Sequence, residues 1–97
     1  MITVIEAKSI AYQYLAKLEI ELGISLNLID SETIEKPFGW VFFYNSKKYL
    51  ETRELSEMLA GNAPFIVDKN NGEIHETGTE KPIEDYIVKF EKSWKPL

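Results

Sequence analysis

Apolar and polar positions alternate with two different periods along this chain, and the change of period marks its elements. From residue 3 to 22 the period is helical. Ala7, Ala11, Tyr14, Leu15, Leu18 and Leu22 fall on one stripe. Thr3 followed by Glu6 is a capping-box start, and Gly23 sits where a helix end favours a residue at ease with positive φ. The period then drops to two. Ile24, Leu26 and Leu28 alternate with Ser25 and Asn27, which predicts a first strand over Ile24–Ile34. A turn at Glu35-Lys36-Pro37 leads to the most apolar strand, Phe38–Tyr44. There Phe38, Trp40, Phe42 and Tyr44 point one way and Val41 and Phe43 the other, so this strand is expected inside a sheet with cover on both sides.

Ser46–Gly61 has no clean period; Arg53–Leu59 is compatible with a helical turn that directs Leu55, Met58 and Leu59 inward. Gly61-Asn62-Ala63-Pro64 interrupts it, as a ligand loop or, more simply, as a rigid lead-in to the next strand. Phe65-Ile66-Val67 is a third strand, Asp68–Gly72 a polar turn and Glu73–Thr77 a fourth strand. Pro82 suits the start of a last helix, whose stripe is Ile83, Tyr86, Ile87, Phe90 and Trp94. The order α-β-β-β-β-α, with turns too short for crossovers, predicts an α+β fold. Its four-stranded sheet is antiparallel, with the N- and C-terminal helices packed on one face. Strand order stays open. Residues 1–97 are expected to form one domain.

Charge changes this picture in one place. Asp68 to Asp85 holds six acids (Asp68, Glu73, Glu76, Glu80, Glu84 and Asp85) against Lys69 and Lys81, which is −4 of the formal net charge of −5. Glu84 and Asp85 lie in the first helical turn, where the helix dipole favours them, and Asp68 flanks a turn it can bond. Glu73, Glu76 and Glu80 have no such local reason. The set is either a solvated face or a surface for a basic protein partner, with Asp68, Glu73, Glu76, Glu80, Glu84 and Trp94 as its candidate contacts. Trp94 is equally compatible with core packing, which is the expectation for Trp40. The acidic balance argues against nucleic acid as a partner, and no apolar run is long enough for a membrane span. The N-terminus lacks a signal-peptide pattern, and the chain has no cysteine, which fits a reducing compartment such as the cytoplasm.

Candidate chemistry is sparse. His75 is the only histidine, and no nucleophile motif accompanies it. Zinc spacings are missing, and Asp68–Glu73 resembles a calcium loop only faintly, since position 79 is Thr where a closing Glu belongs. These patterns predict no enzyme activity, no metal and no cofactor.

Five blocks carry a resemblance. Phe38-Gly39-Trp40-Val41-Phe42-Phe43-Tyr44, Tyr49-Leu50-Glu51-Thr52, Ala60-Gly61-Asn62-Ala63-Pro64, Val67-Asp68-Lys69 and Gly72-Glu73-Ile74-His75-Glu76-Thr77-Gly78-Thr79 are similar, in order and spacing, to the immunity protein 35 family, from about Leu26 to Phe90. That family includes heat-stable, chaperone-like proteins of enteric bacteria. The resemblance implies a small bacterial cytoplasmic protein that neutralises a cognate toxin of a polymorphic toxin system by binding it. A holdase for unfolded chains is the alternative. No catalytic motif, metal or cofactor comes with the family.

Overall fold

The capping box forms as the sequence predicts. In a computed structural model that describes residues 1–97, the Thr3 hydroxyl accepts from the Glu6 N–H at 3.2 Å and the Glu6 carboxylate accepts from the Thr3 N–H at 3.0 Å. These bonds start helix α1, Val4–Leu22, and hold the Glu6 carboxyl below its ordinary pKa. Gly23 closes the helix at φ 71°, its N–H on the Glu19 carbonyl.

The segment expected as one strand, Ile24–Ile34, is two. Strand β1 is Leu26–Leu28 and β2 is Ile34–Lys36, with a 3-10 turn at Asp30–Glu32 between them. The segment Phe38–Tyr44 is likewise divided, into β3, Gly39–Phe42, and β4, Tyr44–Ser46. The cause is an insertion in one arm of a single long hairpin. From the pair Leu28↔Tyr44 to the pair Ile34↔Val41 the first arm advances six residues and the second three. The three surplus residues are the 3-10 turn. They bend the hairpin, so that β1 and β4 form a two-stranded sheet while β2 and β3 join a four-stranded one. The tight turn lies at Pro37-Phe38, one residue later than expected, because Lys36 pairs with Gly39.

Strand β5, Phe65–Asp68, and β6, Ile74–Glu76, complete the larger sheet, in the order β2-β3-β5-β6, antiparallel throughout. β3 is therefore internal, as its two-sided apolar pattern predicts. Gly39 is required there. Its φ is 143°, and a Cβ would lie 2.0 Å from the Val67 carbonyl oxygen.

The α+β class and the terminal helices hold; the layering does not. The helices cover opposite faces. Ala7, Ala11 and Leu15 of α1 pack with Trp40, Phe42, Phe65 and Val67, together with Leu26, Leu28 and Tyr44 from the small sheet. Helix α3, Ile83–Ser93, places Ile87, Ile83 and Phe90 against Val41 and Ile66. Alternation explains this: β3 and β5 are apolar on both sides, so each side needs its own helix. Phe38 leaves the row of Trp40 and Phe42 for the α3 side, because it belongs to the turn before the strand.

The ambiguous segment also differs from expectation. Its helix, α2, is Lys47–Thr52, capped by the Ser46 hydroxyl and ended by Arg53 at φ 61°. Leu55–Glu57 is only a 3-10 turn; Leu55 is 75% exposed and Met58 43%, while Leu59 packs on the core. Asn45 anchors this loop, its Oδ1 accepting from the Leu59 N–H at 2.8 Å, and Asn62 Nδ2 donates to the Tyr44 carbonyl at 2.6 Å.

Candidate partner-binding surface

The second hairpin and α3 build the candidate surface. Asp68 ends β5 and is 8% exposed, too buried for a rim contact. Its Oδ1 accepts from the Asn70 N–H at 2.8 Å, as an Asx turn, and from the Trp94 indole N–H at 3.0 Å. Gly72, at φ 77°, turns the chain back, and its N–H donates to the Asp68 carbonyl at 2.8 Å. Asn70 then clasps the chain's end: its Nδ2 donates to the Lys95 carbonyl at 2.8 Å and its Oδ1 accepts from the Leu97 N–H at 3.2 Å. Trp94 itself packs on the Phe38–Ile87 cluster. Asp68 and Trp94 are thus brought together, as a tie between hairpin and helix.

Glu73 is exposed beside this tie. Its Oε2 stands 3.7 Å from His75 Nε2, and Asp68 Oδ2 stands 3.9 Å from the same nitrogen. Both separations exceed a hydrogen bond, and His75 Nε2 has no bonded partner. The imidazole rests on Phe90, ring centres 4.8 Å apart. Glu76 is on the other side of the sheet, where its Oε2 accepts from the Tyr14 hydroxyl. Burial, and after it this carboxylate, raises the Tyr14 phenol well above its ordinary pKa; burial also raises Tyr44. Glu80 and Glu84 are exposed, on the loop after β6 and in the first turn of α3. The six candidates therefore do not share one face. Asp68, Glu73 and Trp94 meet on the α3 side, Glu76 points to α1, and Glu80 and Glu84 stand at the far end.

Between β6, the 77–80 loop and α3 lies an open cleft of ≈ 630 Å³, with His75, Thr77, Glu80, Tyr86 and Phe90 among its walls. The Tyr86 hydroxyl closes so tightly on Gly78 that a Cβ there would lie 2.6 Å from it. No three His, Cys, Asp or Glu side chains converge as metal ligands. Sequence reasoning missed the roles of Tyr14 and Asn70. Asn70 carried a turn signal, but its hold on the C-terminus is a long-range contact with no local trace.

An α+β domain with antiparallel sheets, a helix at each end and an acidic hairpin beside an open cleft is the class this geometry defines. Residues 5–94 match the family described as Immunity protein 35, and the chain belongs to that family. The match extends beyond the resembling blocks to include α1 and Trp94. The chain is also similar to the "Uncharacterized protein YrhB" of Escherichia coli (strain K12), at 41% identity over 91 residues, covering 94% of this chain and 90% of that protein. No solved structure matches it. The family implies a protein partner, and no helix here is long and apolar enough to cross a membrane.

Proposed function

We propose that this protein is a non-catalytic immunity protein that neutralises a cognate bacterial toxin in the cytoplasm by one-to-one binding. Family membership over residues 5–94 is the observation that carries this reading. The toxin is met at the surface formed by the second hairpin, the following loop and the start of α3. Glu73, Glu76, Glu80 and Glu84 supply its charge, while Asp68 and Trp94 hold its two halves in register from beneath. A standard interface takes about 800 Å² from each partner. The accessible surface of 6245 Å² is large enough to supply that around the β6 edge, where the two sides meet. The acids draw in a basic partner and raise the association rate more than the affinity.

One observation favours a second reading, a holdase. Ile5, Tyr12, Ala16 and Ile20 line the outward side of α1, opposite its core stripe, and Ile5 and Ile20 are 78% and 85% exposed.

The test is co-expression with the cognate toxin domain. The immunity reading expects restored growth and a one-to-one complex. A holdase gives neither, but suppresses aggregation of unrelated heated proteins.

A further inference from the structure

We propose that the outer edge of β6 receives an extended, basic segment of the protein partner as a fifth strand of the larger sheet. The inference rests on the proposed binding role and adds where and how the partner docks.

Backbone direction carries it. The Asp68 N–H donates to the Glu73 carbonyl at 2.9 Å, which makes Asp68 and Glu73 a hydrogen-bonded pair of the β5–β6 ladder. Such pairs alternate in an antiparallel ladder, so the next is Ile66 with His75. Ile74 and Glu76 therefore turn their N–H and C=O groups away from β5. β6 is the last strand of the sheet, and no side chain or loop bonds these groups. The opposite edge offers less. On β2 only Glu35 is directed outward, because Ile34 and Lys36 bond to β3. On the small sheet, Asn62 occupies the outward carbonyl of Tyr44.

The surroundings fit a strand. Side chains of an added strand alternate between the sheet's two faces, and each face has a recess beside β6. On one side is the cleft against Tyr86 and Phe90; on the other, a trough of ≈ 410 Å³ lies between Ile74 and α1 residues Ile10 and Tyr14. Charge selects the occupant. Glu73 to Glu80 holds three acids and no lysine; one cation lines each recess, Lys89 in the cleft and Lys17 in the trough. A second copy of this chain would set these acids against themselves. A basic strand meets no such repulsion.

Amide exchange followed by NMR tests this with a synthetic peptide of alternating Lys and Val as the probe. In the free protein the Ile74 and Glu76 amides exchange fast and the His75 amide slowly. Added peptide slows Ile74 and Glu76 at least tenfold, and a proline-interrupted peptide does not. Glu76→Pro removes the outward N–H and abolishes the effect at Ile74; Glu76→Ala, which keeps the N–H and removes one acid of three, weakens the effect without abolishing it. The proposal is overturned if both amides are already slow in the free protein, or if about 1 mM peptide leaves them fast. Glu76→Ala losing the effect as fully as Glu76→Pro also overturns it. The cognate toxin domain separates the two readings. A one-to-one complex in which both amides stay fast sinks the edge site and keeps the immunity role. Amides slowed by peptide, with no toxin complex, do the reverse.

Discussion

Replacing Asp68 by alanine removes the acceptor that ties the second hairpin to the end of α3. Two donors lose their partner: the Asn70 N–H at 2.8 Å and the Trp94 indole N–H at 3.0 Å. Hydrogen bonds to a charged group are worth about 1.5–3 kcal/mol each. The Asp68 side chain retains 11% exposure and Trp94 is partly buried, so the lower end applies. The expected loss is about 3 kcal/mol, or a fall in Tm of about 12–24 °C for a domain of this size. Asp68→Asn keeps an oxygen at the Oδ1 position and should lose only about 1 kcal/mol. Urea melts followed by tryptophan fluorescence measure both, and a cycle with Trp94→Phe isolates the indole bond, with a coupling of about 1 kcal/mol or more. A loss below about 1 kcal/mol for Asp68→Ala, or additivity in the cycle, refutes the tie and returns Asp68 to the solvated acids.

Phe42→Ala, at a fully buried site in the central strand, should lose about 3–5 kcal/mol in the same melts. Gly39→Ala forces a Cβ into the Val67 carbonyl, so a loss of about 3 kcal/mol or more, or failure to fold at 37 °C, is expected from thermal melts. Tyr14 binds its proton more tightly folded than unfolded, so its contribution is complete below about pH 10 and falls as pH rises further. Tyr14→Phe should flatten the alkaline limb of a stability-versus-pH curve. Reversing Glu73, Glu76 and Glu80 to lysine should slow association with the toxin domain about tenfold or more at low salt and weaken its salt dependence, with the fold intact by circular dichroism.

The terminal helices, the internal position of Gly39–Phe42 and the two hairpin turns were legible because each rests on local period or turn chemistry. Thr3 with Glu6, the alternation around Trp40 and the Asn71-Gly72 turn are all short-range signals. The division into two sheets was not legible. It comes from surplus residues Asp30–Glu32 in one arm of a hairpin, and surplus is visible only once the other arm's register is known. Placing both helices on one face contradicted a clue already present: Val41 and Ile66 are apolar on the side opposite Trp40 and Val67 and needed cover of their own. The acidic hairpin was legible as composition. Which acids share a face was not, since Asp68 is buried by Trp94 and Glu76 is turned to Tyr14 through contacts 26 and 62 residues apart in sequence.

The central claim is neutralisation by one-to-one binding. Titrating the cognate toxin domain with this protein, while following the toxin's activity, tests it most directly. The account predicts a linear fall in activity to zero with a break at one equivalent. That break should survive when His75 is replaced by alanine in a folded protein. Toxin activity that persists at several equivalents, or that falls catalytically at far less than one, contradicts it.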